Sequence, residues 1–99
     1  MAYQVVWTKR AIQGFDKIIE YIWQNFTEKE VIAFLKESNE FIDLLKDFPG
    51  LLQKSNKVKD VHRGPINKLT IVAYRVKRSK NQIELLNFKS SRQKPLKTL

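Results

Sequence analysis

Lys57, Lys59 and Arg63 occupy alternate positions of the stretch 57–63. If that stretch is extended, successive members leave one side of a strand about 6–7 Å apart per two residues, comparable to the spacing of phosphates along a single nucleic-acid strand. Arg75, Arg78, Lys89 and Arg92 come from the neighbouring stretches and their ends. Cations so grouped can hold a polyanion or stabilise charge that develops on a phosphate. Any one lysine reads better as a residue that keeps a strand edge or a turn soluble. The cluster reads differently because acids are almost absent around it. Residues 1–49 hold six Lys/Arg against eight Asp/Glu, and residues 50–99 hold thirteen against two, so a half of net −2 supports a half of net +11 in a chain of net +9. A basic half on a mildly acidic support points to a polyanionic partner.

Other chemistries lack their parts. The chain has no cysteine and one histidine, and the two acids of the basic half, Asp60 and Glu84, have no metal-ligand spacing, so no zinc or magnesium site and no disulfide is written here. Three glycines do not make a phosphate loop. Ser90-Ser91 has no nucleophile-elbow context. No cofactor is expected. His62, the one side chain whose ordinary pKa is near neutrality, reads as a structural or solvent-facing group beside Arg63, Tyr74 reads as core packing, and Trp23, off the apolar stripe of its helix, reads as partly exposed.

The elements that must position these residues follow from periodicity. Tyr3–Trp7 is a short aromatic and β-branched strand that stops at Thr8, a helix cap. Ala11, Phe15, Ile18, Ile19, Ile22 and Phe26 form one stripe of a helix over 9–25. Thr27-Glu28-Lys29-Glu30 has the capping-box form and starts a second helix near Glu28, whose core face is Val31, Phe34, Leu35, Phe41, Ile42, Leu45 and Phe48, ended by Pro49-Gly50. The short link makes the two helices antiparallel. A polar connector, 53–56, leads to a strand over 57–63, a turn at Gly64-Pro65-Ile66-Asn67, a long strand over 68–77, a turn at Ser79-Lys80-Asn81 and a last strand over 82–88. In the long strand Leu69, Ile71 and Ala73 share one face and Thr70, Val72, Tyr74 and Val76 the other, so the strand is central, with one face on the helices. The Val72, Tyr74, Val76 face is expected to take an acidic partner segment that folds on binding. The alternation fails near Asp60, which signals an edge strand or a bulge.

The expected class is α+β in the order β-α-α-β-β-β, an N-terminal strand, an antiparallel helix hairpin and a three-stranded antiparallel meander, forming one domain over 1–99 with poor order beyond Pro95. No apolar stretch approaches the ~20 residues of a membrane span and the N-terminus lacks signal-peptide features, so no membrane partner and a reducing, cytoplasmic setting are expected.

Taken in order, the strand YQVVWT, the hairpin ending LLKDFPG, the basic KVKDVHRG, the apolar LTIVAYRV and the closing IELLNFKSSRQKP resemble the RelE/ParE superfamily of type II toxins, of plasmid-stabilisation type, over nearly the whole chain. The resemblance implies a bacterial growth-inhibiting toxin neutralised by a cognate acidic antitoxin, and leaves room for a homodimer. Two mechanisms come with it. RelE-like members cut ribosome-bound mRNA without metal; Lys57 and Lys59 match their basic-strand positions and Arg92 their C-terminal catalytic arginine. Two parts of that set are replaced: Ile71 stands where an arginine is expected, and no tyrosine follows Arg92. ParE-like members inhibit DNA gyrase by binding, and the Arg92-Gln93 pair before Pro95 resembles them. On either reading Arg63, Arg75, Arg78, Lys89 and Gln93 would contact the target. The residues leave both mechanisms open, beside a third reading as a non-catalytic nucleic-acid-binding module.

Overall fold

The computed structural model describes residues 2–91. Arg92, Gln93 and the expectation of poor order beyond Pro95 lie outside them. The elements are β1 (Gln4–Trp7), α1 (Lys9–Asn25), α2 (Glu28–Asp47), β2 (Val61–Asn67), β3 (Thr70–Lys77), a 3₁₀ turn (Arg78–Lys80) and β4 (Gln82–Ser90). One four-stranded sheet runs in the order β1-β4-β3-β2, with β2, β3 and β4 an antiparallel meander and β1 added parallel to β4. This is the expected α+β order. No described helix is long and apolar enough to cross a membrane.

Thr8 joins β1 to α1. Its hydroxyl accepts from Ala11 N–H at 3.1 Å and donates to the Leu85 carbonyl of β4 at 2.7 Å, so the residue that caps the helix also fastens it to the sheet. Helix α2 starts at a capping box: Thr27 N–H donates to Glu30 Oε1 at 3.1 Å, and the Thr27 hydroxyl donates to the same carboxylate. That second bond is the main cause that holds the Glu30 carboxyl below its ordinary pKa.

The buried positions of α1 are Ala11, Ile18 and Ile22; those of α2 are Val31, Phe34, Ser38, Phe41 and Leu45, spaced three and four apart. Ser38 completes the stripe because its hydroxyl donates to the Phe34 carbonyl at 2.8 Å and needs no other partner. Leu35 and Phe48, expected in the core, are exposed: Leu35 falls beside that stripe, and Phe48 is the C-cap, where the backbone has already left the helix.

Both helices cover the face of β3 that carries Thr70, Val72, Tyr74 and Val76, all buried. The expectation that Val72, Tyr74 and Val76 await an acidic partner is therefore wrong. With apolar residues on both faces, the pattern of this strand could not say which face the helices would take. On β4 the buried residues are Ile83, Leu85 and Phe88, and the change of parity comes from a bulge: Ala73 pairs with Asn87 but Tyr74 with Leu85, leaving Leu86 extra. Phe88 thereby turns inward to stack on Trp7 (5.3 Å between centroids) and meet Phe15 edge-on (5.1 Å).

The strand predicted over 57–63 is displaced to Val61–Asn67, and the predicted turn Gly64-Pro65-Ile66-Asn67 is part of it. Arg63 pairs with Ala73, Gly64 with Val72 and Pro65 with Ile71, so the reversal falls at Lys68-Leu69. Pro65 is tolerated because β2 is an edge strand. Arg63 N–H, two residues earlier and on the same side, points away from β3 and donates to the Gln53 carbonyl at 2.9 Å, so the N–H that Pro65 lacks would also face outward. Residues 57–60 instead form a tight return: Ser55 Oγ accepts from the N–H groups of Lys57 (3.0 Å) and Val58 (3.2 Å), and Asp60 takes a left-handed conformation (φ 62°) that Asp tolerates better than most residues.

Gly14 marks a close approach of α1 to β4. A Cβ there would press into the Phe88 carbonyl oxygen and lie 3.1 Å from Asn87 Oδ1. Gly14→Ala would raise helix propensity by ~1 kcal/mol, yet the clash with fixed backbone is expected to make it net destabilising, by about 1–3 kcal/mol, in denaturant unfolding. A stabilised variant would show that α1 can shift outward at no cost.

Candidate anion-binding groove

The loop between α2 and β2 is held from beneath. Tyr74 is fully buried on β3; its hydroxyl donates to the Pro49 carbonyl at 2.8 Å and accepts from Leu52 N–H at 3.2 Å. His62 lies flat on the Tyr74 ring (5.2 Å, 5°), and its Nδ1–H donates to the Leu52 carbonyl at 2.8 Å, the carbonyl being able only to accept. His62 is thus a buried structural residue and Tyr74 a core residue, as expected. From this anchor residues 53–55 run back along the outer edge of β2, with Ser55 N–H donating to the Val61 carbonyl at 2.7 Å and Lys54 bridged to His62.

This return creates a groove of about 710 Å³ whose walls carry Lys54, Lys57, Arg63 and Lys68, with Val61, Pro65 and Ile71 among its apolar lining and Ser55, Asn56 and Ser91 among its polar lining. No aspartate or glutamate lines it. Four cations around one concavity, with no carboxylate among its described lining, attract an anion, and the hydroxyl and amide groups can hydrogen-bond its oxygens. Among the described residues no three His, Cys, Asp or Glu side chains come together as a metal site would need.

The expected site residues are divided by the fold. Lys57 and Arg63 share this groove. Lys59 sits in the tight return and is exposed, outside the groove lining, because 57–60 is not a strand. Arg75 and Arg78 line a second concavity of about 390 Å³ with Lys77, Lys80 and Asp60. Arg75 and Lys77 both approach Glu84, at 4.0 and 3.6 Å, and Arg78 Nη1 donates to the Tyr3 hydroxyl at 3.4 Å, so part of this charge is already engaged. Lys89 is exposed on the sheet face away from the helices, opposite Ile71. Sequence reasoning missed Lys54 and Lys68. The signal for Lys54 was weak, since only the folding-back of a connector along the β2 edge gives it a place.

The sequence profile of the family described as "ParE toxin of type II toxin-antitoxin system, parDE" matches residues 5–95. The chain belongs to this ParE toxin family. Solved structures share its fold: the chromosomal ParDE system of P. aeruginosa (15% identity, TM-score 0.72, 90% of this chain and 96% of that one), the RelE–RelB complex of the archaeon Pyrococcus horikoshii OT3 (22%, 0.60, 95% and 100%) and the YoeB dimer of Staphylococcus aureus (20%, 0.55, 90% and 97%). At these identities the likeness is one of fold. Comparison with curated proteins found no significant match. The groove beside β2 is read from this chain's own side chains.

Burial pushes the Tyr74 phenol above the ordinary tyrosine value of 10.0, opposed by the bond from Leu52 N–H. The folded state therefore holds this proton more tightly than the unfolded chain. The resulting stability is full below the unfolded pKa and is lost as pH rises through the folded one. Tyr74→Phe is expected to cost about 1–3 kcal/mol at neutral pH by leaving Leu52 N–H and the Pro49 carbonyl unpaired, and to lose this alkaline component, as denaturant titrations between pH 7 and pH 11 would measure. Equal pH dependence in both proteins would remove Tyr74 as its source.

Proposed function

We propose that this ParE-family toxin inhibits growth by binding, with DNA gyrase as its target, and that it is not a nuclease. The observation that carries the reading is the division of the nuclease set: Lys57 lines the groove while Lys59 lies outside it. Cleavage by 2′-hydroxyl attack needs a proton acceptor and a proton donor, each typically worth ~10²–10⁴ in rate. His62 is locked beneath the loop, Lys59 stands outside the groove, and apolar Ile71 lies where the nuclease pattern has an arginine. Membership of the ParE family supports the same reading. Lys57 and Arg63 then serve as binding cations, with Arg75, Arg78 and Lys89 on the flanking surface and Arg92 and Gln93 following Ser91 of the groove wall. The partner that neutralises the toxin would be an acidic antitoxin, matched to this positive half, in the cytoplasm.

Purified protein added separately to a gyrase supercoiling assay and to a translating-ribosome assay tests this. Inhibited supercoiling with intact message is expected; cut message with unaffected gyrase selects the ribosome-dependent endonuclease instead, and no effect in either assay removes both. Charge reversal at Lys57 and Arg63 together is expected to weaken gyrase inhibition at least tenfold at low salt and much less at high salt, since electrostatic steering of this kind is worth ~10–10³ in association rate. As surface changes, these should alter stability by no more than about 0.5 kcal/mol. Arg92→Ala is expected to abolish growth inhibition at nearly unchanged thermal stability; surviving toxicity would take Arg92 out of the site.

A further inference from the structure

Six large apolar side chains of the helix hairpin stand one position beyond a buried residue: Ile12, Ile19 and Trp23 on α1, and Ile32, Leu35 and Ile42 on α2. One residue turns a helix by about 100°, so all six leave the buried stripe in the same rotational sense and form a row on one shoulder of each helix. Four of them are open to solvent, Ile12 at 47%, Trp23 at 53%, Ile32 at 59% and Leu35 at 38%. Packing on the sheet accounts for the buried stripe and not for this second one.

The other shoulder of α2 shows where these rows point. Glu30, Ala33 and Glu37, each one position before a buried residue, look toward the β2–β3 turn: they share a concavity with Asn67 and Lys68, and Glu37 Oε1 accepts from Asn67 Nδ2 at 3.0 Å. The apolar shoulder of α2 therefore points toward α1. For two antiparallel helices lying on one sheet face, the same sense of rotation turns their shoulders toward each other, so the row on α1 points toward α2. Together the rows flank the outer seam of the hairpin. Counted from the Phe26-Thr27 link, Ile19 and Leu35 stand seven and eight residues along their helices, and Ile12 and Ile42 fourteen and fifteen. At 1.5 Å per residue the rows match level for level and make one apolar ridge, the kind of surface that marks a protein contact.

Charge selects what covers it. Beside the ridge α1 carries Asp16 and Glu20 and α2 carries Lys29 and Lys36, all exposed and, among the described residues, none of them in an ion pair. Asp16 and Lys36 stand at one level, ten and nine residues from the link. A two-fold axis along the seam lays α1 of one copy over α2 of the other, which brings acids to lysines and each apolar row to its counterpart. The hairpin belongs to the half of net −2, while the half of net +11 stays beyond it, where repulsion between copies is screened over a Debye length of ~8–10 Å. An acidic segment on the ridge would instead meet Asp16 and Glu20 as like charges.

We infer that the outer seam of the hairpin is the interface of a homodimer, closed by this ridge and by Asp16 and Glu20 of one copy against Lys36 and Lys29 of the other. The dimer leaves the basic groove of each copy free, because Arg63 and Ile71 lie on the sheet face away from the helices. The inference stands whether the target is gyrase or the ribosome.

Sedimentation of the full chain over a dilution series tests it without reference to growth inhibition. A monomer–dimer equilibrium is expected, with acrylamide quenching of Trp23, taken as the difference from Trp23→Phe, falling as the dimer forms. Ile32→Asp is expected to weaken association at least tenfold, as loss of an apolar anchor does, while far-UV circular dichroism shows the helices retained. Asp16→Lys with Glu20→Lys is expected to weaken it comparably, and adding Lys29→Glu with Lys36→Glu to restore it, since opposite charges then face each other again across the two-fold. A chain that stays monomeric into the millimolar range overturns the inference and leaves the ridge to a different protein. A dimer indifferent to both Ile32→Asp and the acid reversal also overturns it, by placing the interface elsewhere.

Discussion

Leu86 is one residue more than β3 requires of β4, and the arrangement of the helices depends on that surplus. Before it, Ile83 and Leu85 face the hairpin; were the same residues paired regularly, with no bulge, Phe88 would face the other way and take its ring out of the cluster with Trp7 and Phe15. The same inward turn brings the Phe88 carbonyl against α1, where only the missing side chain of Gly14 leaves room. Thr8 then ties the start of α1 to Leu85, just before the bulge. A cap, a glycine and a bulge, each a local feature, thus set one distance between helix and sheet.

A second dependence runs from core to surface. Tyr74 is as buried as any residue in the protein, yet its hydroxyl determines where the loop after α2 leaves the core, and His62 reinforces that point by stacking on it. The return of 53–55 along β2 places Lys54 and Lys57 across from Arg63. The positive half of the sequence is therefore not a uniform surface. It resolves into a groove without acids and a neighbouring concavity where Asp60 lies among the cations and Glu84 approaches Arg75 and Lys77.

Much of this was legible in the residues. Both helices have strong start signals, Thr8 and the Thr27–Glu30 box, the second has Pro49-Gly50 past its end, and each carries an apolar stripe, so their bounds were read almost to the residue. The class and the order of elements followed from them. The region around β2 was not legible for three physical reasons. Lys57, Lys59 and Arg63 alternate as a strand would, but Ser55 and Asp60 bend that stretch into a turn. Gly64-Pro65 has the composition of a turn but sits where an edge strand needs no outward donor. On β3 both faces are apolar, so the pattern could not choose which one the helices would cover. Lys57 and Arg63 come together all the same, by a route that alternation did not foresee, while Lys59 is left out.

The return along β2 has a consequence for the toxin as a solute. The outer rim of an edge strand offers unpaired N–H and C=O groups to any other extended chain. Here the groups of Val61 and Arg63 are already occupied by Ser55 and Gln53, and Pro65 has no donor to offer. A neighbouring molecule therefore finds the template for strand addition already taken at Val61 and Arg63. Sheet-to-sheet addition at this end is opposed by the chain's own backbone, which leaves the basic groove to work through its side chains.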